Sequence, residues 1–104
     1  MEREGELKVK IRDLKDGMRR VNIVAKVLEV SEPREVVSRF DGRVYKVADI
    51  LIGDDTGTIK LSLWNEQIGR VNVNDTIKIE NGYVRSFKGE KQLNVGRFGK
   101  LTVL

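Results

Sequence analysis

The sequence predicts an all-β domain: five strands curled into one small barrel, with one short helix between the third and fourth strands. Three observations predict it. Runs of β-branched residues follow one another with little between them but tight turns. The dipeptides Asp41-Gly42 and Lys88-Gly89 join neighbouring runs as hairpins. The core-facing parity also switches once inside a run, at Asn81-Gly82, as an inserted bulge residue would make it. A chain of 104 residues has the length of one domain with one core.

Residues 1–10 form a charged lead-in, and residues 11–104 form the single folded domain. Ile11 to Met18 reads as a short turn of helix closed by Gly17, a residue that tolerates a left-handed C-cap. Val21 to Val30 (VNIVAKVLEV) is the first strand. Val36–Phe40 and Arg43–Ile52 flank the Asp41-Gly42 turn, and Thr58–Trp64 follows the turn Asp54-Asp55-Thr56-Gly57. Asn65 to Val71, barely two turns, is the remaining helical candidate. Thr76–Ile79 and Tyr83–Phe87 make one long run bent at Asn81-Gly82, and Gln92–Val95 returns after Lys88-Gly89. Five curled strands with a short helix after the third is the pattern of an OB-fold barrel.

Composition removes several chemistries. With no His and no Cys, the chain has no disulfide, no Cys/His zinc site, no thiol nucleophile and no histidine base. No apolar run approaches the ~20 residues of a membrane span, and Met1–Glu6 lacks the apolar segment of a secretory signal. The lack of cysteine fits a reducing, cytoplasmic setting. Asp54-Asp55 invites a metal-site reading, but Asp-Asp-Thr-Gly is an ordinary turn, so catalysis is not expected. The net charge of +4 is unevenly placed. Residues 1–80 carry 15 basic and 15 acidic side chains, whereas residues 81–104 carry Arg85, Lys88, Lys91, Arg97 and Lys100 against Glu90 alone. That segment is either a footprint for a polyanion or a solvated basic edge strand.

Strand parity separates the faces. In Thr58–Trp64, the residues Ile59, Leu61 and Leu63 face the core, which leaves Lys60 and Trp64 outside. A two-residue turn at Lys88-Gly89 pairs Phe87 with Glu90, Arg85 with Gln92, Tyr83 with Asn94 and Val84 with Leu93. Val84, Leu93 and Val95 then face inward, and Tyr83, Arg85, Phe87, Gln92 and Asn94 outward. Three of the six aromatic residues thus lie outside among cations. Bases stack on such rings while the cations neutralise phosphates, and any base suffices because every base has a π-face. Phe40 and Tyr45 beside the Asp41-Gly42 turn read as a local cross-strand cluster or as a flap over a bound strand, and Phe98 as a core or edge plug.

The segments Ile50–Gly57, Leu61–Trp64, Ile77–Tyr83, Phe87–Gly89 and Gln92–Gly96, with Asp13-Leu14, Gly17-Met18 and Val21-Asn22, resemble the single-stranded DNA-binding OB domains of archaea. These include the simple single-OB binding proteins and the OB domains of archaeal replication protein A, and the resemblance covers roughly residues 11–100. It implies base stacking on Trp64, Tyr83 and Phe87, with Lys60, Arg85 and Lys88 on phosphates. A fourth contact position, aromatic in some relatives, is Asn94, which can hydrogen-bond but not stack. Asn74 stands where many relatives have Gly, and Asn tolerates the same left-handed turn. Some relatives carry a long tail, so a chain ending at Leu104 reads as a tailless member or as one domain of a larger protein. The implied ligand is single-stranded DNA, in replication, recombination or repair near the nucleoid, with no cofactor and no membrane. Other replication or repair proteins and RNA stay open as partners. The competing functions are an OB subunit that docks proteins in a larger complex and an RNA-binding OB domain, because stacking alone does not sense a 2′-hydroxyl.

Overall fold

The computed structural model describes residues 9–104. Six strands follow in order: β1 (Val21–Val30), β2 (Arg34–Val37), β3 (Val44–Asp54), β4 (Gly57–Trp64), β5 (Thr76–Phe87) and β6 (Glu90–Val103). They lie in the order β1-β5-β6-β4-β3-β2, and β1 also pairs with β3. That last pairing closes β1, β3, β4, β5 and β6 into a five-stranded barrel, the OB fold. The short β2 pairs only with β3 and extends the sheet past the closure. All pairings are antiparallel except β4 with β6.

Alternation of side chains fills the barrel. Val21, Ile23, Ala25 and Val27 of β1 point in, as do Ala48, Ile50 and Ile52 of β3 and Ile59, Leu61 and Leu63 of β4. Ile77, Ile79 and Val84 of β5 and Leu93, Val95 and Leu101 of β6 complete the core. The parity switch in β5 is a real bulge: the register shifts between Glu80 and Gly82, and Asn81 takes φ +58°. The Lys88-Gly89 turn has φ +53° and +80°, as a two-residue hairpin turn of this hand requires, and the pairing read from it is the pairing observed. Asn74 has φ +79°, so the turn survives without a glycine.

Three local expectations are corrected. The helix expected over Asn65–Val71 is a single 3-10 turn, Asn65–Gln67. Asn65 (φ +52°) and Gly69 (φ +92°) are both left-handed, which leaves three residues between them, too few for a turn of α-helix. The turn expected over Ile11–Met18 is likewise a 3-10 turn, Ile11–Asp13, followed by extended chain at Leu14. The β2–β3 connection is longer than the two residues of Asp41-Gly42. Val36 pairs with Tyr45, and residues 38–43 form the tip, closed by the Ser38 amide donating to the Arg43 carbonyl (2.9 Å). The lead-in of residues 1–10 lies largely outside the described residues. Of its last two, Val9 packs against the core and Lys10 pairs with Asp55 at 2.9 Å.

Residues 10–18 act as a strap across one end of the barrel. Leu14 is fully buried and Ile11 nearly so. The Gly17 amide donates to the Val84 carbonyl (2.9 Å), and the Val84 amide donates back to Met18 (2.9 Å). Lys91 Nζ donates to the Leu14 carbonyl (2.8 Å), and the Ser86 amide to Asp16 Oδ1 (2.8 Å). Asp54 holds the other end. Its carboxylate accepts from the Ile11 amide (2.9 Å), the Thr56 amide (2.7 Å) and the Thr56 hydroxyl (2.6 Å). Desolvation, the largest single influence, pushes the Asp54 pKa up. The Thr56 and Ile11 hydrogen bonds and the Lys10 charge together outweigh it and hold the group below the usual carboxylate range.

A depressed folded pKa stabilises the protein above the unfolded value, and that contribution is lost as pH falls through the folded one. The urea midpoint is therefore expected to drop as pH falls below about 4, the unfolded carboxylate value. Asp54→Asn should lower the midpoint at neutral pH and flatten that acid limb, read by tryptophan fluorescence in urea titrations at several pH values.

Candidate nucleic-acid interface

The residues singled out by parity fall on one outer surface, spread across β4, β6 and β5. Lys60 pairs with Gln92, which pairs with Arg85, and Ser62 pairs with Asn94, which pairs with Tyr83. Paired residues share a face, so each row crosses three strands. Trp64 ends β4 and is 40% exposed. Its partner on β3, Val47, is buried although it belongs to the outward set, with Trp64 and Arg34 on either side of it in the ladder. Phe87 is 60% exposed beside the β5–β6 turn.

Tyr83 is half-buried, with one edge of its ring against Gly96. A Cβ on Gly96 would stand 3.2 Å from both Cδ1 and Cε1 of the ring. Glycine at that place gives the ring edge room, and a side chain would push it aside by a few tenths of an ångström. The position is therefore a seat for one of the three rings.

The cations are less free than their positions suggest. Lys60 Nζ is 3.2 Å from Glu90 Oε1, so a phosphate there must displace a carboxylate. Both side chains are about half exposed, and such a pair contributes little, on the order of 0–1 kcal/mol, so the exchange is easy. Lys88 Nζ lies 5.4 Å from the centroid of Phe87, over its ring. Arg85 is exposed in the row with Lys60 and Gln92. Asp49, another acidic group on this face, is bridged by Arg34 Nη1 at 3.1 Å.

Two aromatic expectations change. Phe40 forms no cross-strand cluster: it stands fully exposed on the β2–β3 tip. Tyr45 instead donates its hydroxyl to Asp41 Oδ2 (3.0 Å), which raises the tyrosine pKa. The Arg43 amide and the Tyr45 hydroxyl hold Asp41 low. Phe98 plugs nothing and is 82% exposed. The sequence signal for it was available, since glycines flank Arg97-Phe98 on both sides, but two flanking glycines do not say which way a chain turns.

The family described as single-stranded DNA binding protein Ssb-like, OB fold, matches residues 14–103. The chain belongs to that family. It is 37% identical over 92 residues to the single-stranded DNA binding protein Ssb of Saccharolobus solfataricus, covering 88% of this chain and 61% of that protein. It is 40% identical over 73 residues to replication factor A of Methanothermobacter thermautotrophicus, covering 69% of this chain and 9% of that protein. The chain thus spans less than two thirds of either relative. Among solved structures, it superposes on the replication factor A related protein from Methanobacterium thermoautotrophicum with a TM-score of 0.77 at 28% identity, covering 95% of this chain and 92% of that one.

Proposed function

We propose that this Ssb-like OB domain is a binding module that coats single-stranded DNA with little sequence preference, in replication, recombination or repair. The observation that carries the reading is the placement of Trp64, Tyr83 and Phe87 on one outer face of β4 and β5, among Arg85, Lys60 and Lys88. Bases stack on the three rings, the cations meet the phosphates between them, and Asn94 hydrogen-bonds a base edge beside Tyr83. Stacking contributes about 1–3 kcal/mol per base and is indifferent to base identity. None of this needs a cofactor or a catalytic group, so the domain acts by binding, on DNA in the cytoplasm or nucleoid. The names of the relatives support DNA over RNA as the ligand and other replication proteins as neighbours.

The single tryptophan lies in the proposed site, so it reports occupancy directly. Titration with an oligothymidine of about 20 nucleotides, longer than the ~4–16 that one OB fold covers, should quench Trp64 strongly. Three phosphate contacts should give a log–log salt slope of about −2, at ~0.7 per contact. A matched RNA oligomer should bind more weakly. No quenching and no mobility shift would sink the reading in favour of a protein-docking OB subunit.

A further inference from the structure

β6 leaves its ladder once. Gly82 pairs with Val95 and Glu80 with Lys100, so Asn81 of β5 alone faces the four residues Gly96–Gly99 of β6. Extra residues in one strand bend it and re-aim its side chains. The base of this excursion is pinched. A Cβ on Gly99 would lie 3.0 Å from the Gly96 nitrogen and 3.1 Å from the Asn81 carbonyl oxygen, so a side chain there is resisted by backbone. The excursion presents Arg97 and Phe98 to solvent, with the guanidinium 5.8 Å from the ring centroid.

Opposite stands the end of the strap, where Gly17 and Met18 pair with Val84 and lead into Arg19 and Arg20. An open groove of about 840 Å³ lies between the two. Arg19, Arg20, Arg85 and Arg97 line it, together with Tyr83 and Phe98. The one carboxylate on its wall, Asp16, accepts a hydrogen bond from the Ser86 amide. Among the described residues, none of the four arginines is in an ion pair. Four guanidiniums around an open groove suit phosphates, which their planar forks bind in pairs of hydrogen bonds. An exposed phenylalanine among them suits a base.

We propose that this groove continues the single-strand track beyond Tyr83, with Phe98 as a fourth stacking platform and Arg19, Arg20 and Arg97 as phosphate contacts on its two walls. The proposal rests on the single-strand reading above. Tyr83 borders both surfaces, so a strand leaving its ring enters the groove directly. Phe98 then supplies the platform that Asn94, an amide, does not.

The test compares the wild type, Phe98→Ala and the double variant Arg19→Ala/Arg97→Ala on oligothymidines of about four and about twelve nucleotides, within the ~4–16 range of one OB fold. Trp64 quenching is the readout. The short oligomer reports the three-ring face, and all three proteins are expected to bind it equally. On the long oligomer, Phe98→Ala should bind about fivefold or more weakly, the loss of one stacked base. The double variant should show a salt slope shallower by about 1.4, two contacts at ~0.7 each. Matching thermal melts would exclude misfolding, as expected for exposed side chains. If the short oligomer quenches the wild type and both variants keep wild-type affinity and slope on the long one, the groove is off the track and the proposal is overturned. If neither oligomer quenches the wild type, the single-strand reading fails and the proposal falls with it. A glutamate-rich peptide bound more tightly than the long oligomer, and lost in the same variants, would overturn it in favour of a protein ligand.

Discussion

Replacing Trp64 and Phe87 together with alanine is expected to remove most of the affinity for single-stranded DNA while leaving the fold intact. The two rings lie toward opposite ends of the outer face. Trp64 closes β4, and Phe87 stands at the β5–β6 turn next to Lys88. Losing both leaves Tyr83 as the one remaining ring of the three, with no ring on β4 and none at the β5–β6 turn. At about 1–3 kcal/mol per stacked base, the double variant should lose about 2–6 kcal/mol, from some thirtyfold to more than ten-thousandfold in dissociation constant. Phe87 is mostly exposed, so its loss should cost little stability, whereas Trp64 covers the buried Val47, so a thermal melt must show the double variant folded at the binding temperature. Anisotropy of a labelled oligothymidine measures the loss, since the variant has no tryptophan. The salt slope should change little, because the phosphate contacts are untouched; a collapse of the slope with modest loss of affinity would show that charge, not stacking, holds the strand.

What was legible in the sequence and what was not divides by the range of the interactions. The β5–β6 hairpin was legible down to its register, because Lys88-Gly89 admits few turn geometries and each fixes the pairing that follows. The bulge at Asn81 was legible because a single inserted residue reverses every later side chain, and Ile77, Ile79 and Val84 cannot otherwise all face inward. The placing of Trp64 outside followed from three neighbours, Ile59, Leu61 and Leu63. The Lys60–Glu90 pair was not legible, because β4 and β6 meet only when the barrel closes, and no local pattern encodes that parallel contact. Phe98 was misjudged for a related reason. Its hydrophobicity argued for burial, and only the pairing of Val95 and Lys100 with Gly82 and Glu80 shows that residues 96–99 stand off the ladder. The basic character of residues 81–104 was visible by counting, but Arg19 and Arg20 join that surface from the far end of the chain. Counting along a sequence cannot find them.

Leu14→Ala is expected to cost as much stability as a substitution inside the barrel core, although Leu14 lies in no strand or helix. The strap reads as a weak helical turn in sequence. Its value lies in one fully buried side chain at the end of the barrel, with Ile11 beside it. Closing five strands leaves two open ends, and a small barrel must plug each one or leave its core wet. At the end where β4 leaves for β5, Asn65 and Gly69 limit the connection to a 3-10 turn, and the buried contribution is Val71 with half-buried Ile68. The strap lies at the other end, beside the β3–β4 and β5–β6 turns, where Leu14 and Ile11 are the plug. Removing three carbons at a fully buried site leaves a cavity that a strap held at both ends cannot collapse to fill, for a loss of about 2–5 kcal/mol. Gly17, Met18, Asp16 and the Leu14 carbonyl tie the same segment to β5 and β6, beside Tyr83 and Phe87. The variant should thus lower the urea midpoint and also weaken oligonucleotide binding under native conditions, by loosening the hairpin that carries two rings. Ile11→Val, which removes one methylene at the other buried strap position, should cost only about 0.5–1.5 kcal/mol and leave binding unchanged. If Leu14→Ala melts like the wild type, the strap is a passenger on the barrel and the core is closed from β5 and β6 alone.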